Sequence, residues 1–111
     1  METVGRTGER VVVRSLTDEG YVINAWNTAS PAPADIDATR ERVHILVQVR
    51  SAIYPNEPTN LTQEEAQHLK SRATAISATP VIATVQFTDA SLEALTVPVL
   101  YTRVTTSKAS M

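Results

Sequence analysis

The stretch Val43-His44-Ile45-Leu46-Val47-Gln48-Val49-Arg50 decides the fold of this chain. It predicts a strand, and a strand sends alternate side chains to opposite faces. One face then carries Val43, Ile45, Val47 and Val49, and the other carries His44, Leu46, Gln48 and Arg50. A packed strand rarely places an amide and a guanidinium at inward or cleft-facing positions without a reason, because buried polar groups need partners. The second face of this strand is therefore the first candidate for a functional site.

A shorter stretch, Asp35-Ile36-Asp37, precedes this strand and also predicts a strand. Asp35 and Asp37 then share one face, while Ile36 lies on the other. A turn at residues 40–42 joins the two stretches and predicts an antiparallel hairpin. Carboxylates on one strand would face an amide and a cation on the next, which is an arrangement that can hold a divalent metal beside a phosphate.

Periodicity and turn signals predict the remaining elements. The pattern favours a helix over residues 8–19 that ends at Gly20, with an apolar stripe of Val12, Val13 and Leu16. A second helix begins at the capping box Thr62-Gln63-Glu64-Glu65, and its expected buried face is Ala66, Leu69, Ala73 and Ile76. Further strands are predicted at residues 21–26, 80–85 and 97–104, with a proline-containing loop at 27–34 and a turn or short helical piece at 89–92.

The order of these elements is αβββαββ. The strand-helix-strand segment from residue 43 to residue 85 predicts a crossover between parallel strands, which makes the sheet mixed. The predicted fold class is α/β (α+β), with a mixed five-stranded sheet and a helix on each face. We expect a single domain over residues 1–104 and a flexible tail over residues 105–111.

Composition limits the classes of function. The chain has 111 residues, of which 42% are hydrophobic, so one domain with one core is expected. It contains no cysteine, no signal-peptide pattern and no apolar run of the roughly 18 residues that span a bilayer, so we expect a soluble cytoplasmic protein without a membrane partner. The net charge of −2 argues against a strongly basic nucleic-acid binder but leaves room for arginines along a groove.

Four short motifs give the chain a resemblance to a known family. They are Gly8-Glu9 near the start of the first helix, Gly20-Tyr21 before the first strand, Asp35-Ile36-Asp37, and Val47-Gln48-Val49-Arg50-Ser51. In their order and spacing the chain resembles the PD-(D/E)XK nuclease superfamily, which has the restriction-endonuclease-like fold, and especially its small resolvase-like members. The resemblance implies that Glu9, Asp37 and Gln48 surround Mg²⁺ or Mn²⁺, and that Arg50 contacts the scissile phosphate.

Two of these positions depart from the family pattern. Gln48 stands where the family has a carboxylate, and its amide oxygen can still bind a hard cation. Arg50 stands where the family has a lysine. Arginine stays protonated, so it can clamp a phosphate but cannot pass on a proton. Lys70 of the second helix is a candidate replacement amine, and Lys70 and Arg72 are further candidates for contact with nucleic acid.

Plainer interpretations of the same residues stay open. Glu9 also fits an ordinary carboxylate in the first turn of a helix, where the helix dipole favours it. Asp35 is expected to cap the turn after the prolines, and His44 to be an exposed strand residue. Three hypotheses follow: a metal-dependent DNA nuclease that forms a homodimer, a nuclease-like fold that no longer cuts and serves as a nucleic-acid-binding or assembly module, and a structural domain without a cleft.

Overall fold

Within the part of the chain that the structure describes, the fold contains two helices and five strands in the predicted order αβββαββ. A computed structural model of the chain describes residues 4–26, 35–88 and 99–104. The elements are α1 (Val4–Asp18), β1 (Val22–Trp26), β2 (Asp35–Arg40), β3 (Val43–Ile53), α2 (Gln63–Ala75), β4 (Thr79–Phe87) and β5 (Val99–Arg103). The predictions for residues 27–34 and 89–92, the start of the last strand at 97–98 and the tail at 105–111 lie outside the described residues.

The strands form one mixed sheet in the order β1-β2-β3-β4-β5. β3 and β4 are parallel, and the other three neighbouring pairs are antiparallel. The predicted mixed sheet, the β2–β3 hairpin and the parallel crossover are therefore confirmed. β3 lies at the centre and runs to Ile53, beyond the predicted end at Arg50, because β4 pairs with it along its whole second half.

The two faces of the sheet carry different cores. On the face covered by α1, which we call the α1 face, Val12 and Leu16 pack against Val47 and other buried strand residues. On the opposite face, the α2 face, Leu69 and Ala73 of α2 pack on Leu46. Leu46 and Val47 are consecutive residues and enter different cores, so the predicted alternation along β3 is confirmed.

The first helix is longer than predicted, and Gly8, which was expected near its start, lies inside it. α1 begins at Val4 rather than near Gly8. Glycine usually weakens a helix interior, but a Cβ on Gly8 would lie 1.7 Å from the Ser51 Oγ. The missing side chain lets α1 lie directly on β3. At the other end, Gly20 has a φ of 93°, and the Tyr21 N–H donates to the Leu16 carbonyl, which is the predicted glycine helix end.

The second helix starts as predicted but buries fewer residues. The Thr62 side chain accepts from the Glu65 N–H, and the Glu65 side chain accepts from the Thr62 N–H, so the capping box is confirmed. Leu69 and Ala73 are buried as expected. The prediction for Ile76 is wrong: it is 40% exposed because the helix ends at Ala75 and Ile76 is its C-cap.

No helix among residues 4–26, 35–88 and 99–104 is long and apolar enough to cross a membrane.

The contact between Gly8 and Ser51 gives a test of the α1 position. Gly8→Ala should lower the free energy of unfolding by about 1–3 kcal/mol, the usual cost of overpacking, although alanine is the better helix former. Urea denaturation of Gly8→Ala, Ser51→Gly and the double variant measures this. In the Ser51→Gly background the Gly8→Ala change should cost little or stabilise, because the obstructing side chain is gone. An equal loss in both backgrounds would contradict the described contact.

Candidate functional site

The centre of the candidate site is set by the register of β2 and β3. Asp35 lies directly opposite Gln48, and Asp37 lies opposite Leu46. Gln48 is 5% exposed and is the one buried polar side chain among the described residues. Asp35 is the first residue of β2, and its predicted role as the cap of the preceding turn stays a prediction. The backbone therefore brings Asp35, more closely than Asp37, to the position beside the buried amide.

Asp37 belongs to a polar network on the same face. Its Oδ1 accepts from the Asn24 Nδ2 at 3.1 Å and lies 2.7 Å from the His44 Nε2. The Asn24 Nδ2 also donates to the Thr39 Oγ1 at 3.3 Å. Three strands thus meet at one carboxylate. His44, which we predicted as an exposed strand residue, is half-buried and paired with Asp37.

Glu9 approaches the site from the other side of the sheet. The Trp26 Nε1–H donates to the Glu9 Oε1 at 3.1 Å, and Trp26 packs against the core of the α1 face. Trp26 pairs with Ile36, next to Asp35. Glu9 therefore lies near the same end of the sheet as Asp35 and Gln48, but through Trp26 it is held on the α1 face.

The environment of Glu9 favours its neutral form. Burial raises the pKa of Glu9 above its ordinary value of 4.5, while the hydrogen bond from Trp26 and the charge of Arg6 act in the opposite direction. A carboxyl group whose pKa is raised by burial is one of the features by which candidate functional sites are recognised.

Arg50 is held by the start of α2. Its Nη2 lies 2.6 Å from the Glu65 Oε1, the atom that also accepts from the Thr62 N–H at 2.9 Å. The pKa of Glu65 is lowered, first by the Thr62 N–H and then by Arg50. The Arg50 Nε is buried and has no hydrogen-bond partner. The capping box of α2 therefore fixes the guanidinium on the α2 face and offsets its charge.

The other cationic candidates lie further along α2. Lys70 and Arg72 lie on α2 and are half-buried. The predicted roles of both residues stay predictions. A cluster of three or more His, Asp or Glu side chains suited to a metal is absent from the described residues.

A cleft lies on the α2 face beside Arg50. It has a volume of about 480 Å³ and is formed by the connector before α2 and by β4 and β5. Thr84 lines it and is the register partner of Arg50 on β4. The other lining residues are mostly uncharged: Glu57, Pro58, Asn60, Ile82, Gln86, Leu100 and Thr102.

The raised pKa of Glu9 predicts a pH-dependent stability. The folded state holds the proton more tightly than the unfolded state, so stability falls as the pH rises from about 4.5 through the folded pKa. Glu9→Gln keeps an acceptor for Trp26 and removes the charge. It should raise the melting temperature at neutral pH and leave it nearly unchanged below pH 4.5. Melting curves at both pH values test this, with Glu57→Gln in the exposed connector as the control. A lower melting temperature at neutral pH would contradict the described environment.

Comparison with known proteins supports the fold. No protein-family model and no curated protein matches the chain. The chain is similar to the 1.6 Å structure of Hjc, a Holliday junction resolvase from the archaeal hyperthermophile Archaeoglobus fulgidus, with a TM-score of 0.58 and 20% sequence identity. The match covers 76% of this chain and 66% of that protein. The fold predicted from the sequence is confirmed: the chain has a restriction-endonuclease-like fold, which it shares with this resolvase.

Proposed function

We propose that this protein is a metal-dependent nuclease that hydrolyses phosphodiester bonds in DNA through an altered PD-(D/E)XK site. The observation that carries the proposal is the pairing of Asp35 with the buried Gln48, with Arg50 two residues further along the same face. Carboxylate and amide oxygens are donors of the kind that Mg²⁺ and Mn²⁺ prefer, and the strand register pairs an aspartate with a glutamine here. The similarity to a Holliday junction resolvase supports the same class of reaction.

The proposed metal donors are Gln48 and the aspartates of β2, on the α2 face. Glu9, the further donor that the resemblance implies, is held on the α1 face by Trp26, so its role stays a prediction. Of these two aspartates the register favours Asp35, since Asp37 already accepts from Asn24 and pairs with His44. The donor set consists of oxygen atoms, which fits a hard divalent cation. When bound, such a cation polarises a phosphate and makes a coordinated water more acidic.

Arg50 has a different task from the lysine of the family. Its guanidinium stays charged and can hold a phosphate oxygen, and it can stabilise the negative charge that develops there. It cannot accept a proton from water. The ion pair with Glu65 limits how strongly Arg50 attracts a phosphate, because the two charges offset each other. Removal of the water proton in this proposal therefore falls to a carboxylate of the site.

The remaining parts of the proposal come from the sequence. A homodimer is proposed from the resemblance, and a cytoplasmic location from the lack of cysteine, which suits a reducing compartment.

The Arg50–Glu65 pair favours a second candidate function. If Glu65 offsets the Arg50 charge and Gln48 provides no charge, this site stabilises the transition state less than a site with the carboxylate and lysine of the family. The same fold then serves as a nucleic-acid-binding or assembly module without cleavage.

Cleavage assays separate the two candidates. The purified protein should nick or cut plasmid, four-way-junction or single-stranded DNA in Mg²⁺ or Mn²⁺ and should be inactive in EDTA. Asp35→Asn should reduce the rate by about 100-fold or more, since a metal ligand contributes several kcal/mol to the transition state. Asp37→Asn, which removes the same charge on the same strand face, should reduce it less. No cleavage by the wild type on any substrate would leave the binding module as the function.

The charge balance at Arg50 can be tested without any reaction. Glu65→Gln keeps the capping box, because glutamine also serves at this position, and leaves the Arg50 charge without its partner. DNA affinity should rise, and the slope of log affinity against log salt should steepen by up to about 1. Thr62→Ala is the control, since it breaks the cap but changes no charge. Weaker binding by Glu65→Gln would show that Glu65 positions Arg50 for the phosphate instead of competing with it.

A further inference from the structure

The exposed side of α1 carries a row of arginines. Arg6, Arg10 and Arg14 are all exposed and are spaced four residues apart, so they lie along one side of the helix. We call them the arginine stripe. The only acidic residues of α1 are Glu9 and Asp18, while the chain as a whole has a net charge of −2. Positive charge is therefore concentrated on this helix surface, in a protein that is acidic overall.

The stripe begins beside Trp26 and Glu9 on the α1 face. The Arg6 guanidinium lies 5.7 Å from the centre of the Trp26 ring, and the indole of Trp26 donates to Glu9. From Arg6 to Arg14 the stripe extends about 12 Å along the axis, at 1.5 Å per residue. One strand of a duplex places a phosphate about every 3.4 Å of helix axis. The stripe is thus long enough to contact more than one phosphate of a duplex strand.

The surroundings of the stripe distinguish among anionic partners. A membrane-surface helix inserts its apolar side into the bilayer. The apolar side of α1 is not available for this, because Val11, Val12 and Leu16 are buried in the core of the α1 face. The solvent-facing side of α1 is charged and has little apolar surface, so it suits a solvated polyanion as partner. A phosphodiester backbone has this character and is also the substrate of the proposed reaction.

We infer that the arginine stripe of α1 is a docking surface for the phosphate backbone of duplex nucleic acid. This inference rests on the proposed function for the class of partner and adds the surface that holds it. The surface is separate from Arg50, which lies on the opposite face of the sheet. Arginine contacts of this type contribute affinity and register without reading base sequence.

The test measures binding in EDTA, so that it is independent of cleavage. Fluorescence anisotropy with a labelled short DNA duplex, and with an RNA duplex of the same sequence, gives affinity at several salt concentrations. The Arg10→Gln/Arg14→Gln variant should reduce the slope of log affinity against log salt by about 2, and Arg14→Gln alone by about 1, since each phosphate contact contributes about 0.9. The matched control is Arg42→Gln/Arg103→Gln, which removes two exposed arginines elsewhere and should leave the slope unchanged.

The inference would be overturned by no salt-dependent binding of either duplex by the wild type, by an unchanged slope in the stripe variant, or by an equal change in the control pair. Binding of an acidic protein such as a polyglutamate carrier with higher affinity than either duplex would also overturn it. If no DNA is cleaved but the slope of log affinity against log salt is smaller in the stripe variant, the proposed reaction is wrong and the docking surface stands. If DNA is cleaved and the slope is unchanged in the stripe variant, the docking surface is wrong and the reaction stands.

Discussion

The register of the β2–β3 hairpin is the constraint on which the candidate site depends. Arg40 pairs with Val43, so the turn contains Glu41 and Arg42 alone, and Glu41 has a positive φ of 54°. Because side chains alternate along a strand, a shift of the pairing by one residue would move every side chain of one strand to the opposite face of the sheet. The short turn therefore sets the register in which Asp35 of β2 pairs with Gln48 of β3.

Two contacts outside the hairpin complete the arrangement. Gly8 lets α1 pack directly on β3 at Ser51, which brings the adjacent Glu9 to the end of the sheet where β2 starts. On the other face, Glu65 holds Arg50 through the same oxygen that caps α2. Helix packing and helix capping thus position one candidate carboxylate and one cation. Both residues are linked to the fold by contacts that the sequence motif alone does not describe.

The sequence predicted much of the fold because local signals and tertiary packing agree. The alternation along β3, the capping box at Thr62 and the glycine end of α1 at Gly20 are short-range features, and all three are found in the structure. The start of α1 was misplaced because glycine normally marks a helix boundary, whereas Gly8 is inside the helix to allow a close contact with a residue distant in sequence. Such a contact leaves no local signal.

The site was predicted less completely, and the reason is again distance in sequence. A turn of three residues and a turn of two residues are difficult to distinguish from composition, yet they decide whether Asp35 or another residue faces Gln48. The pairing of Asp37 with His44 depends on the same register. The ion pair of Arg50 with Glu65 joins a strand to the start of a later helix, and only the folded chain brings them together.

A crystal structure of the protein with bound Mn²⁺ shows directly whether Asp35 and Gln48 form a metal site, because the anomalous signal locates the cation without reference to activity. We expect a peak between the Asp35 carboxylate and the Gln48 amide oxygen, on the face of the sheet that α2 covers. Side chains of Asp35 and Gln48 on opposite faces of the sheet, or a saturating Mn²⁺ soak with no peak between them, would contradict it.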